Sequence, residues 1–175
     1  MYILRGQSYF YTMVITVAVL LFVGAGLYWA FFYTPAVGTG SPRYWLYFAN
    51  REATEVVGEK RAQKGVLTGE TIIEELIKGP RTQNLWPTLP QGTRLLSFFV
   101  QGRIAYVDFS REVKENFGGG TANELMLVYS VIASLTELPE IAAVQFLVEG
   151  QVEESIWGHI DTSSPLMPDE QFIAR

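Results

Sequence analysis

Apolar and polar positions divide the chain into two unlike stretches. From Gly6 to Pro42 there is no Asp, Glu, Lys, Arg or His, whereas from Arg43 onward apolar runs alternate with charged turns. Within the first stretch, MVITVAVLLFVGAGLYWAFF (Met13 to Phe32) is apolar on every side. As an α-helix rising about 1.5 Å per residue it would reach about 30 Å, the thickness of a bilayer's hydrocarbon core. Tyr9, Phe10 and Tyr11 precede it and Tyr28, Trp29 and Tyr33 close it, where amphipathic rings suit the two interfaces. The pattern predicts a transmembrane helix over 13–33 after a short cytoplasmic segment, 1–12. A retained anchor is favoured over a cleaved signal, because the run exceeds the ~7 to 15 apolar residues of a signal peptide. Arg5 and the terminal amine lie close before the span and the next cation is Arg43, which places the N-terminus inside. TPAVGTGSP, within 34–43, has the composition of a tether.

The second stretch, 44–175, is predicted to fold as one α+β domain. YWLYFAN (Tyr44 to Asn50) lacks helical spacing and is rich in strand formers. A short extra strand is possible over Glu55 to Arg61. GETIIEELIKGP places Ile72, Ile73, Leu76 and Ile77 on one helical face, with Gly79 and Pro80 as a stop. TRLLSFFVQGRIAYVDFS predicts a hairpin turning at Gln101-Gly102. Thr121 and Glu124 have the spacing of a capping box before a helix whose main stripe is Leu125, Tyr129, Ile132 and Thr136, widened by Leu135 and Leu138 and stopped by Pro139. AAVQFLVEG then alternates as a strand. Strand, helix, strand, strand, helix, strand packs most simply as one small mixed or antiparallel sheet with two helices on one face. The tail from Gln151 is expected to be irregular, with SSPLMP turning it back over the domain.

Charge and cysteine content narrow the partners. From Tyr44 onward there are 11 basic residues, all of the 13 but Arg5 and Arg43, and 18 acidic ones, a net charge of −7. Such a surface repels nucleic acid unless a basic stripe compensates, and EKRAQK, the densest basic run, reads as a solvated loop or edge strand. No nucleic-acid partner is expected. The chain has no cysteine, which excludes disulfides, thiol nucleophiles, cysteine-bound metals and a lipid attached through cysteine.

The candidate chemistry is thin. FGGGTANEL sets three glycines before a helix but has neither the lysine of a phosphate loop nor the spacing of a dinucleotide turn, so it reads as a flexible lead-in. His159 and Asp161 have the spacing of an imidazole and its orienting carboxylate, yet no serine nearby sits in a nucleophile elbow; a hydrogen-bonded turn is favoured. Asp108 ends an apolar strand, where Ser110 or a following N–H would satisfy it. Glu74, Glu75 and Lys78 read as a solvated face with Glu74 and Lys78 paired. No catalytic, cofactor or metal site is predicted. The second helix carries few charges, so it is either buried on most sides or meets a partner. Leu127, Ser130, Val131 and Ser134 are the candidate interaction face.

ELIKGP, LWPTLPQGTRLL, AYVDFS, YSVIASLTELPEIAAVQFLVEG and GHIDTSSPL, in that order, resemble the GerMN domain family of sporulation and spore germination proteins. The match runs from about Leu46 to Leu166. The resemblance implies an extracytoplasmic domain at the bacterial membrane, likeness to ring-building modules, and no catalytic residues. It also implies that the signature positions determine the fold. Gly79, Pro80, Asp108, Ser110, Leu135 and Pro139 would end elements, and Pro90, Gly150, His159 and Asp161 belong to the same blocks. Thr121 and Glu124 complete the set.

Together these features suggest a single-pass protein of the bacterial cytoplasmic membrane whose outer domain docks on copies of itself or on another envelope protein, through an exposed strand edge or the flank of the second helix. The alternative is a module for peptidoglycan or a small ligand, with Tyr44, Trp45, Tyr47, Trp86 and Trp157 available to stack on sugars. An enzyme using Asp108 or His159 with Asp161 is the third possibility.

Overall fold

The computed structural model describes residues 3–33, 43–63 and 65–174, with side chains of the first helix described at position 11 and over 13–29. The chain forms two units, Met1–Thr39 and Gly40–Arg175. The tether expected over 34–43 lies outside the described residues apart from Arg43.

In the first unit a single helix, α1, runs from Ile3 to Tyr33 and is 31 residues long. It starts ten residues before the expected Met13. Among the described residues no helix is long and apolar enough to cross a membrane. The described side chains of α1 run unbroken only from Met13 to Trp29, and Leu20, Leu21 and Phe22 among them are exposed apolar groups.

The second unit is α+β, but with two sheets where one was expected. The first sheet has the order β1-β2-β6, from β1 (Arg43–Ala49), β2 (Val56–Ala62) and β6 (Ile173–Ala174). β2 is antiparallel to β1 and parallel to β6. The second sheet has the order β3-β4-β5, from β3 (Leu95–Gln101), β4 (Ile104–Phe109) and β5 (Ala143–Val148). Here the β3–β4 hairpin is antiparallel and β4–β5 parallel. Its turn falls at Gly102-Arg103, one residue later than the expected Gln101-Gly102, with Gly102 at φ 59° and Arg103 at φ 66° and with Gln101 paired to Ile104 as the last residue of β3. Paired positive φ values match the twist of two strands in a tight hairpin.

The helices explain why the sheets stay separate. α2 (Gly69–Ile77) buries Ile72, Ile73 and Leu76, and Gly79 ends it at φ 81° with its N–H on the Leu76 carbonyl at 3.0 Å. A short helix, α3 (Glu112–Glu115), was not apparent in the sequence. α4 (Thr121–Leu135) lies along the open edge of β1. The Tyr47 N–H donates to Ser134 Oγ at 2.9 Å, and the Ser130 hydroxyl donates to the Tyr47 carbonyl at 2.5 Å. Further along that edge the Trp86 N–H donates to the Ala49 carbonyl at 2.9 Å. Those backbone groups would otherwise need another strand. With the edge of β1 closed this way, no continuous sheet forms.

α4 is therefore buried on most sides. The expected main stripe is only partly right: Ile132 and Leu135 are buried, while Leu125, Tyr129 and Thr136 are half-exposed. Leu127, Val128 and Val131 enter the main core with Leu46, Phe48, Ile73, Phe109 and Phe146. Met126 and Ala133 face a smaller cluster with Tyr47, Ala49 and Val56. The tail is pinned rather than loose: Leu166 pairs with Val144 and Gln151 with Val148, and β6 adds to β2.

Candidate functional site

The face expected to meet a partner is inside the domain. Leu127, Ser130, Val131 and Ser134 each have 0% exposure. Small serines let the helix approach β1 closely, and their hydroxyls serve the strand edge, with Ser130 also hydrogen-bonded to Thr88 Oγ1 at 2.7 Å.

The capping box does not form. The N-cap of α4 is Gly120, at φ 93°, and no side chain caps the helix; Thr121 is exposed. Glu124 turns inward instead and is fully buried. Its Oε1 accepts the His159 N–H at 3.1 Å and the Ile160 N–H at 2.7 Å, and Oε2 accepts His159 Nδ1–H at 2.8 Å. Glu124, not Asp161, thus orients the imidazole. Asp161 is exposed and closes its own turn, accepting the Ser163 hydroxyl at 2.6 Å and amide at 2.9 Å. Those bonds, the hydroxyl's first, hold its carboxyl below the usual range.

Asp108 is buried as a structural group. Its Oδ1 accepts the Gly150 N–H at 2.9 Å, so its partner comes from the end of β5 and not from Ser110 or the next amide. Ser110 Oγ takes the Arg94 N–H at 3.0 Å and closes the base of the hairpin. Pro90 accepts the Thr93 N–H at 3.2 Å, and Pro139 accepts Arg103 Nη2–H at 3.2 Å after the last turn of α4.

Of EKRAQK, Glu59 to Ala62 lie in β2 beyond its two-residue pairing with β6, an edge strand as one of the two expectations had it rather than a solvated loop. Arg61 is buried and donates to Glu59 Oε1 and Glu75 Oε2, each at 2.7 Å, and to the Gly79 carbonyl at 2.8 Å. Glu59 Oε2 accepts the Arg81 and Thr82 amides at 2.8 and 2.7 Å. Burial is the largest single influence on each carboxyl and pushes it up. The hydrogen bonds, from Thr82, Arg61 and Arg81 to Glu59 and from Lys78 and Arg61 to Glu75, together outweigh burial and leave both lowered. Lys78 pairs with Glu75 at 2.8 Å rather than with Glu74. The network ties the exit of α2 to β2.

The aromatic residues separate into two groups. Tyr44 and Tyr47 are buried, and Trp157 is half-buried with its Nε1–H on the Val113 carbonyl at 3.0 Å and its ring edge-on to Phe146. These belong to the core. Trp45, 39% exposed, carries Lys60 Nζ 5.5 Å from its ring centroid, and Trp86 is 58% exposed. Among the described residues no cluster of three His, Asp or Glu side chains is placed to hold a metal.

Two surface features remain. β3 pairs only with β4, which leaves its other edge open. Its sequence LLSFFVQ has no charge and no proline, and Leu96, Phe99 and Val100 are 41–49% exposed. Phe99 stacks on Tyr106 with ring centroids 4.6 Å apart and planes 5° from parallel. The second is a cleft of about 380 Å³ between the β1–β2 turn, the Trp86–Pro90 loop and the lead-in to α4, which includes Gly118. The glycine triplet is thus at a rim. Nothing in the linear pattern pointed to this cleft, because its walls come from separate loops and the first turns of α4.

The family model described as Germane, sporulation and spore germination, matches residues 45–154. The chain belongs to this family. Its second unit is a GerMN-type domain, and solved structures agree in fold. The chain is similar to the first GerMN domain of the sporulation protein GerM from Bacillus subtilis, at 20% identity and TM-score 0.62 over 74% of this chain and 99% of that one. It is also similar to the tandem GerMN domains of the same protein, at 20% identity and TM-score 0.61 over 73% and 46%. A candidate lipoprotein from Clostridium perfringens matches at 28% identity and TM-score 0.53 over 77% and 92%. No curated protein matches the chain significantly.

Proposed function

We propose that the chain is a single-pass protein of the bacterial cytoplasmic membrane, N-terminus inside, whose GerMN-type domain is a non-catalytic docking module that pairs with a second copy through the open edge of β3. Sporulation or germination is the family's setting. In favour of the anchor, α1 is helical to Tyr33 and its sequence remains apolar through Phe32, beyond the last described side chain. The lipoprotein-like relative also fits an envelope location.

The observation that carries docking is the uncharged, exposed strand. An open edge presents a row of unpaired N–H and C=O groups, and soluble proteins guard such edges with lysine, proline or a covering element. β3 has none of these in its seven residues, only an irregularity between Leu95 and Ser97. Strand addition supplies backbone hydrogen bonds, and the Phe99–Tyr106 platform supplies apolar contact. Tethering in one bilayer raises the effective concentration of copies, so a modest edge suffices.

The test uses Ser97→Cys in a chain that has no other cysteine. Oxidation in intact membranes at native expression should yield a species of twice the mass, and adding Val100→Lys should remove it. A chain that stays monomeric, or that crosslinks only to a different protein, overturns self-pairing.

A further inference from the structure

We infer that the cleft beside Trp86 is a binding site for an acidic, N-acetylated saccharide, a property separate from strand pairing and on the other sheet's side of α4. Four observations converge. Trp86 has its backbone fixed by the hydrogen bond to Ala49 while its indole stays 58% exposed. A large ring on a fixed backbone, left in water, is the apolar platform that the C–H face of a pyranose covers.

The cleft contains no carboxylate, although the chain has 18 acidic residues. Its one charge is Arg51. Arg61, Lys78, Arg81, Arg94, Arg111 and Lys114 are each paired with a glutamate. Lys60 lies over the Trp45 ring and Arg103 on the Pro139 carbonyl, and Arg51, the one cation in the cleft, makes only a 3.4 Å contact to Asn84 Oδ1 among the described residues. A guanidinium without a counter-ion at the mouth of an aromatic cleft selects for a carboxylate on the ligand.

Neutral amides supply the rest. Asn116 Nδ2 is spent on the Gln91 carbonyl at 2.8 Å and Asn123 Nδ2 on the Gly119 carbonyl at 2.9 Å. These bonds fix both side chains and leave each Oδ1 as an acceptor for sugar hydroxyls or an acetamido N–H. The walls are preformed. Asn50 holds the β1–β2 turn by accepting the Thr54 N–H at 3.0 Å and donating to Thr54 Oγ1 at 2.9 Å, and Leu89 is buried behind the loop. An exposed aromatic, fixed acceptors and one cation in a cavity of a few hundred Å³ is the composition of a small-ligand site.

The experiment titrates the full chain in lipid nanodiscs, free of glycoside detergent, with a disaccharide of N-acetylglucosamine and N-acetylmuramic acid and with its tetramer. Tryptophan fluorescence and calorimetry report binding. Cellotetraose, which lacks acetamido and carboxylate groups, is the chemical control, and pelleting with purified cell-wall polymer separates wall-bound from free glycan as the source. We expect millimolar or tighter binding, at least tenfold weaker for cellotetraose and for Trp86→Ala, at least threefold weaker for Arg51→Gln, and unchanged for Trp45→Ala. Thermal unfolding of each variant confirms that it folds. No binding, equal binding of cellotetraose, or binding retained in a folded Trp86→Ala variant overturns the inference. Because Ser97 and Val100 lie on β3, failure here leaves the crosslinking result intact, and the converse.

Discussion

Glu124 and His159, 35 residues apart, are joined at both backbone and side chain: one fully buried carboxylate takes the His159 N–H, the His159 Nδ1–H and the neighbouring Ile160 N–H. The bond anchors the loop after β5 to the first turn of α4. Removing the carboxylate strands three part-buried donors, whereas removing the half-exposed imidazole leaves the carboxylate its two amide donors on Oε1. Glu124→Ala should therefore cost about 2–4 kcal/mol and His159→Ala about 1 kcal/mol, read from thermal unfolding of the full chain. Equal losses for the two variants would show that the side-chain pair, not the backbone clamp, carries the stability.

The buried Arg61 network predicts an acid-sensitive fold. Against the upward push of burial, hydrogen bonds and the Arg61 guanidinium hold the Glu59 and Glu75 carboxyls below their ordinary value in the folded chain. A depressed carboxyl contributes stability in full above its unfolded value and loses it as pH falls through the folded value. Unfolding midpoints in denaturant should be flat from pH 7 to about 5 and drop below about 4.5. Arg61→Met leaves two carboxylates without their shared cation, which costs about 3–5 kcal/mol near neutral pH; it also raises both folded carboxyl pKa values toward the unfolded one, so the acid-side drop becomes smaller. An unchanged acid profile in Arg61→Met would show that these carboxyls do not govern it.

How far the sequence could be read depended on whether a signal was local. The stop of α2 at Gly79 and Pro80, the β3–β4 hairpin to within one residue and the strand starting near Tyr44 were legible, since each rests on a few adjacent residues. α4 was legible as a helix but not in its surroundings. Thr121 and Glu124 have capping-box spacing, yet a distant loop offers Glu124 three donors in a dry site, and that outweighs one exposed helix-end amide. Ser130 and Ser134 looked like a polar seam for a partner because small hydroxyls fit an interface and a close helix–strand contact equally well; only Tyr47 tells which. The Trp86 cleft draws on three loops, and spacing along the chain cannot bring those together.

Burial of the serine seam and exposure of the edge strand are separable by labelling. With no native cysteine, Ser134→Cys and Val100→Cys each introduce a single thiol. A maleimide should modify Val100→Cys in the native chain at least a hundredfold faster than Ser134→Cys, and denaturant should equalise them. Ser134→Ala, which leaves the Tyr47 N–H without its acceptor, should destabilise the fold by about 1–3 kcal/mol. Fast native labelling at Ser134→Cys would return α4 to the list of candidate interfaces.

The anchor is tested at the centre of α1. Leu21 and Phe22 lie midway along the uncharged run, farthest from either interface if the helix spans the bilayer. Replacing both with aspartate should add about 6 kcal/mol to insertion, enough to move the protein from the carbonate-resistant membrane pellet to the supernatant. The same change at Tyr9 and Phe10, which would sit at the interface, should leave the chain in the pellet. Protease added to intact spheroplasts should digest the GerMN-type domain of the unaltered protein, whose net charge of −7 from Tyr44 onward does not oppose translocation. Protection of that domain would reverse the assigned orientation, and extraction of the unaltered chain by carbonate would remove the span altogether.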